Sequence, residues 1–507
     1  MMPDIPRPST AGPSAARPRA ASPRAARPNI VFILSDDHAA HAISAYGSRV
    51  NTTPHMDRLA DEGARMDALY CTNSICTPSR ASILTGTYSH INRAPSIYSI
   101  FDHRVRTVPE ALQEHGYQTA IFGKWHLGTT PEALPRGFDD WRIFPGQGDY
   151  WNPEMIGPEG REQTEGYATD VVTQQSLGFL ERRDPERPFC LLVHHKAPHR
   201  PWIPHPRYAG RYAEGTIPEP ETMWDEHEGR AQVVQQVRMQ LDDLTPTDYK
   251  DQLPTQLEGE EHRRERAAWK YQRYMRDYLR CVQAVDDSIG QLLEHLEDAG
   301  VAENTLFIYT SDQGFFLGDH GWFDKRLMLD ESLTMPMLAR WPETIPPGTR
   351  VTDTLSNVDI AATLLEAAGL DPSAELPDQQ GRSFLRQLHG TEVPDWRQAV
   401  YYRYWEHDDP EHHAPAHYGV RTPELKYIRY YNDGLGTPGS SDRIMPIEDE
   451  LYDLVADPRE MINVAADPAY AEQLAAMQQL TAQMQAEVGD APYEGPDTPR
   501  LEWPTAR

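Results

Sequence analysis

Cysteine, cationic residues and long apolar runs are all scarce in this sequence. Four cysteines in 507 residues cannot build a disulfide framework. No stretch approaches the ~20 apolar residues of a membrane-spanning helix, so no membrane partner is expected. Lys and Arg number 48 against 77 Asp and Glu, a net charge of −29. That balance argues against a nucleic-acid partner, because phosphate binding needs a basic surface. Hydrophobic residues are only 39% of the chain and the mean hydropathy is −0.66. The 11 Trp, 24 Tyr and 12 Phe still supply the bulk of a core and exclude wholesale disorder. A soluble globular protein remains.

Residues 1–28 are mostly Pro, Ala, Arg and Ser with no apolar segment. They predict a disordered tail rather than a secretory signal, and therefore a cytoplasmic location. From Asn29 onward a pattern repeats. Ile30-Val-Phe-Ile-Leu34 runs into Ser35-Asp36-Asp37-His38, Thr119-Ala-Ile-Phe122 into Gly123-Lys124-Trp125-His126, Phe189-Cys-Leu-Leu-Val193 into His194-His195-Lys196-Ala-Pro-His199, and Leu306-Phe-Ile-Tyr309 into Thr310-Ser311-Asp312-Gln313. Short continuous apolar runs predict strands buried on both faces of a parallel or mixed α/β sheet. Polar clusters at their C-terminal ends lie where ligands bind in such sheets. Tyr274, Tyr278, Val282, Val285, Ile289, Leu292 and Leu296 follow helical spacing up to Gly300. The polar stretch from Trp224 to Glu261 predicts a surface insertion. Beyond residue 390, Val400–Trp405 and Lys426–Tyr431 predict antiparallel strands with one wet face. The expected division is a tail over 1–28, a catalytic domain over 29–390 and a smaller α+β subdomain over 391–495.

Two strand ends offer oxygen donors, Asp36-Asp37 and Asp312-Gln313. Three carboxylates and an amide oxygen suit one hard divalent cation, Ca²⁺ ahead of Mg²⁺; Asp-Asp after a strand also serves as a helix cap. Cys76, in Cys76-Thr-Pro78-Ser-Arg80, stands at the predicted start of a short helix closed by Gly86. Helix N-termini favour negative charge, and Arg80 lies one turn further along the same face. A buried cysteine at a helix start fits the same spacing. His412, His413 and His417 have zinc-like spacing but no evident cysteine or carboxylate partner, and read as a polar loop. Cys71, Cys190 and Cys281 read as core fillers.

The runs Cys76-Thr-Pro-Ser-Arg80-x-x-x-Leu84-Thr85-Gly86 and Gly116-Tyr117-x-Thr119-x-x-x-Gly123-Lys124-Trp125-His126-Leu127-Gly128 resemble the two signatures of the type I sulfatases, in the family's order relative to Asp36-Asp37 and Asp312-Gln313. The resemblance extends to Leu451-Tyr-Asp-Leu454. It implies the alkaline-phosphatase-like α/β fold, a large mixed sheet between helices with a C-terminal subdomain. It also implies that a maturation enzyme converts Cys76 to formylglycine, whose hydrate attacks the sulfur of a sulfate ester and later expels sulfate. The cation, held by Asp36, Asp37, Asp312, Gln313 and the modified Cys76, would activate that hydrate and neutralise sulfate charge. Lys124 and Lys325 match sulfate-binding lysines. His126 matches a base or orienting group, and His199 the general acid, with His195 as a possible substitute. Gln313 departs mildly from the family's usual Asn. A sister phosphonate monoester or phosphodiester hydrolase, and an inactive metal-binding homologue, are the alternatives. Tyr150, Trp151 and Asn152, with Trp405, His407 and His417 closing from the second domain, predict a sulfated sugar such as N-acetylglucosamine 6-sulfate as the substrate.

Overall fold

The computed structural model describes residues 27–504. The tail read over 1–28 lies outside the described residues except for its last two. Arg27 donates to the His115 carbonyl at 2.7 Å, and the Pro28 carbonyl accepts from the Tyr117 hydroxyl at 3.0 Å, so both belong to the folded body.

Ten strands form the main sheet: β1 (Asn29–Ser35), β2 (Ala64–Met66), β3 (Gln118–Lys124), β4 (Asp140–Phe144), β5 (Glu154–Gly157), β6 (Gly160–Gln163), β7 (Phe189–His194), β8 (Thr305–Ser311), β9 (Met337–Arg340) and β10 (Thr349–Val351). Their order is β10-β2-β9-β8-β1-β7-β3-β4-β5-β6. The centre β8-β1-β7-β3-β4 is parallel, and β9, β5 and β6 run antiparallel to their neighbours. Alternate side chains of β1 feed different layers. Ile30, Phe32 and Leu34 join the core that contains Leu192, Leu306 and Ile308, while Val31 and Ile33 join the one built on Tyr278, Val282 and Ile289. A strand covered on both faces gains nothing from polar alternation, and this explains the unbroken apolar runs.

Helix α1 (Cys76–Thr85) is buried along its whole length. Helices α2 (Ala168–Arg182) and α3 (Arg263–Asp298) cover the opposite face, α3 carrying the predicted helical spacing. No helix among the described residues is long and apolar enough to cross a membrane. The stretch read as a surface insertion packs inward instead. Its short turns bury Val233, Val234, Val237, Met239, Leu241 and Leu244, apolar residues too irregularly spaced to betray an element.

The C-terminal strands β11 (Val400–Tyr404), β12 (His417–Arg421), β13 (Leu425–Tyr430) and β14 (Glu448–Asp453) form an antiparallel sheet in that order. Neither face is generally wet. Tyr402, Tyr404, Ile428 and Tyr430 pack into the main core, while Tyr401, Tyr418, Val420 and Tyr427 form a third core with α4 (Ala471–Val488).

Candidate active site

Parallel pairing of β1 with β8 sets Ser35 against Ser311, so Asp36-Asp37 and Asp312-Gln313 leave the sheet side by side. Oxygens of Asp36, Asp37 and Asp312 lie within 4.8 Å of one another. Asp37 turns in the left-handed region at φ 65°, which short polar side chains tolerate. Its N–H donates to Asp312 Oδ1 at 3.2 Å, and the Gln313 amide nitrogen donates to Asp37 Oδ1 at 2.5 Å. Gln313 Oε1 is buried without a partner.

Cys76 is the first residue of α1, and its Sγ lies 3.2 Å from Asp36 Oδ1. Arg80 makes no hydrogen bond to the thiol. It spans from Nε to Asp312 Oδ2 at 2.9 Å and from Nη1 to the Lys124 carbonyl at 2.8 Å, leaving Nη2 buried without a hydrogen bond, 3.9 Å from Asp36 Oδ1. The Lys124 ammonium donates to Asp36 and to the amide oxygen of Gln147, and Lys325 donates to Asp37. His199 Nε2 stands 3.6 Å from Asp37 Oδ2, and one of its ring nitrogens groups with Asp36 and Cys76. β3 ends at Lys124, and His126 takes φ 56°, so the extended backbone stops short of His126. His126 nevertheless packs beside the site, its carbonyl accepting from the Thr77 hydroxyl at 2.7 Å. His195 points elsewhere, with Nε2 3.2 Å from Ser288 Oγ, and cannot replace His199.

The charges are strongly perturbed. Burial opposes ionisation of Asp36, but Lys124, His199 and Arg80 outweigh it and hold the carboxyl well below the usual range. Burial and the neighbouring carboxylates raise Asp37 and Asp312, against Lys325 and Arg80 respectively. Burial, then Asp36, push the Cys76 thiol up, and burial with Lys124 holds His126 and His199 below the usual imidazole range. Three converging carboxylates and an orphaned amide oxygen fit a hard divalent cation, which would relieve that repulsion.

The C-terminal sheet and its loops reach the site by residues other than those expected. Trp405, His407 and His417 are buried within them: Trp405 stacks on Arg403, His407 bonds the Arg443 carbonyl, and His417 stacks between Tyr402 and Tyr404. His412 instead lies 3.3 Å from Asp324 and 3.0 Å from Asp409, and Arg326 bonds Tyr404 and Glu406. None of the candidate metal clusters among the described residues contains a residue of the His412–His417 loop. Trp151 is 39% exposed and packs on Tyr167 and His205. Gln147 and Arg326 went unread, and His412 was read only as part of a polar loop, because Lys124, Glu406 and Asp324, their partners at the site, are distant in sequence.

The family model described as Sulfatase matches residues 28–370. The chain belongs to the sulfatase family. A second model, described as N-sulphoglucosamine sulphohydrolase, C-terminal, matches residues 318–487 of this sulfatase, joining Lys325 to the small sheet in one segment. The sulfatase is 39% identical to the N-acetylglucosamine-6-O-sulfatase of Bacteroides thetaiotaomicron, over 91% of its own length and 87% of the relative's. It is 25% identical to an arylsulfatase of Clostridium perfringens, over 88% and 92%. A solved structure in complex with its substrate D-glucosamine-2-N,6-O-disulfate matches with a TM-score of 0.82 and 39% identity, over 92% of the sulfatase and 98% of that chain. A phosphonate monoester hydrolase of Agrobacterium radiobacter, 21% identical with a TM-score of 0.72 over 91% and 96%, shares the fold. The fold is the alkaline-phosphatase-like sandwich, and the protein is a sulfuric ester hydrolase.

Proposed function

We propose that this sulfatase removes the 6-sulfate of an N-acetylglucosamine-type sugar, using Cys76 in its formylglycine form and one divalent cation, Ca²⁺ ahead of Mg²⁺. The observation that carries the chemistry is the meeting of the Cys76 helix start with three carboxylates, Lys124 and Lys325. The substrate class rests on the similarity to a protein that acts on that sugar ester. Asp36, Asp37, Asp312 and Gln313 would hold the cation, which when bound supplies Lewis acidity and charge neutralisation. The raised thiol of Cys76 is a poor nucleophile as it stands, in keeping with its conversion to a hydrated aldehyde, which supplies a hydroxyl nucleophile.

The chain's own groups divide the remaining work. Lys124 and Lys325, buried against Asp36 and Asp37, are placed to turn their donors to sulfate oxygens once a cation shares those carboxylates. Arg80 holds Asp312 and the Lys124 carbonyl, fixing two of the site's elements to one guanidinium. His126 orients or deprotonates the hydrated residue 76, and His199 gives a proton to the departing sugar oxygen. Asp324, Arg326 and His412 form a polar wall beside Lys325 for sugar hydroxyls. We take residues 29–390 as the catalytic domain and 391–495 as the subdomain that completes this wall.

The test compares kcat/KM on N-acetylglucosamine 6-sulfate, choline sulfate and matched aryl sulfate and phosphonate esters. The expected ranking puts the sugar sulfate above choline sulfate, and aryl sulfate above aryl phosphonate. Peptide mass spectrometry across residue 76 should show a loss of roughly 18 Da for the –CH₂SH to –CHO conversion. The reverse ranking would refute the sugar assignment, and an unmodified, fully active Cys76 would refute the nucleophile.

A further inference from the structure

One buried cation has no part in the chemistry above. Lys196 lies two residues past the end of β7 and is only 4% exposed. Among the described residues its ammonium has no carboxylate at ion-pair distance. It touches the carbonyls of Gln147 at 3.3 Å and Arg200 at 3.4 Å, with the Tyr150 ring 5.2 Å away. Burial, then the nearby charge of Lys124, push it down to about 8, so it stays mostly protonated at neutral pH. A buried ammonium without a carboxylate is costly, which directs attention to what it holds.

The Arg200 carbonyl is shared. It accepts from Lys196 and also, at 2.6 Å, from His199 Nδ1. A carbonyl oxygen only accepts, so Nδ1 carries a hydrogen, and the proton given to the leaving group is the second one of the doubly protonated ring, on Nε2, the nitrogen facing Asp37. Two further bonds tie Lys196, His199 and Tyr150 together. The His199 N–H donates to the Lys196 carbonyl at 2.9 Å, and the Tyr150 hydroxyl to the His199 carbonyl at 2.6 Å.

We propose that Lys196 is a positioning residue for His199: by anchoring the Arg200 carbonyl it fixes the tautomer and ring orientation of the imidazole, so that Nε2 meets the leaving-group oxygen. This rests on the reading of His199 as the general acid of sulfate-ester cleavage. A lysine that merely tied the 147–150 loop to the 199–200 turn would make the same contacts, and the leaving group separates the two roles. A sugar alkoxide needs a proton to depart, whereas a nitrophenolate leaves readily without one. Misorienting the acid harms the sugar ester alone, but a loosened loop harms both.

The experiment measures kcat and KM of the full chain, with conversion of residue 76 confirmed by mass spectrometry, on N-acetylglucosamine 6-sulfate and on 4-nitrophenyl sulfate. Lys196→Met is expected to lower kcat on the sugar ester at least about tenfold. Its KM on that ester, and kcat on the aryl ester, should stay within about threefold. Equal losses on both esters, or no loss on either, would overturn the proposal. If circular dichroism shows Lys196→Met unfolded, Lys196→Gln is read by the same ratio. A wild-type enzyme that cleaves the aryl but not the sugar ester would overturn the substrate reading before any variant is compared, and with it this inference.

Discussion

Lys325 sets its ammonium 2.6 Å from each carboxylate oxygen of Asp37, a residue 288 positions earlier in the chain. Burial opposes the charge of Lys325, but Asp37 outweighs it and the ammonium holds its proton beyond the ordinary lysine range. Asp37 is therefore shared between a protein cation and the proposed metal site. Asp37→Asn should lose both bound divalent ion and activity, the latter by at least about a thousandfold if transition-state charge loses two partners at once. Metal content by atomic emission, read beside kcat/KM, checks this. Full activity in demonstrably metal-free protein would sink it.

Cys76→Ala should abolish turnover while leaving the fold intact. Removing a covalent nucleophile costs several orders of magnitude, and the deleted sulfur is one small group at a helix start. Thermal unfolding and single-turnover assays on the same preparation test both halves. A residual rate above about a hundredth of wild type contradicts a covalent route through residue 76.

The His320 imidazole offers a pH test away from the reacting atoms. Burial disfavours its charge, but Asp225 at 3.0 Å and Glu331 at 3.6 Å raise it to about 9 against the opposing charge of Arg230. A histidine ionises near 6.5 in the unfolded chain, so the folded state binds the proton more tightly. The resulting stabilisation, up to about 3 kcal/mol, is complete below pH ~6.5 and disappears as pH climbs through ~9. Denaturant midpoints of wild type and His320→Gln should therefore differ most at pH 6 and converge near pH 10. A gap that does not change with pH would count against the charged pair.

Much of this site could be read from the sequence because strand ends announce it. β1, β3, β7 and β8 are unbroken apolar runs that stop at Asp36, Lys124, His199's turn and Asp312, and parallel pairing brings those stops together. The signatures around Cys76 and Lys124 did the rest. What failed depended on partners far along the chain. His412 read as a polar loop residue until Asp324 stood opposite it, and Trp405 looked like a lid residue until Arg403 and Trp503 enclosed it. Lys196 stood in a polar cluster with nothing to distinguish it, because its partners are backbone carbonyls that carry no mark in the sequence. The 224–261 stretch misled by composition, its few buried apolar residues being outnumbered by charges on the wet side.

The central place of β1 has a consequence for synthesis on the ribosome. Its two neighbours begin 160 and 276 residues downstream. At about 5–20 residues per second, the first strand made waits on the order of ten seconds or more for β7 and longer for β8, each edge unpaired until its own partner is made. Most proteins keep such edges at the rim, where they are short or shielded. Here they lie in the middle of the sheet. A chain released before residue 305 already has Asp36, Asp37 and Cys76, yet lacks the third carboxylate and ends as an apolar half-sheet. Such nascent fragments should be clients of chaperones and targets of proteases, and recombinant yield should respond to slower translation and lower temperature more than to any change at the surface.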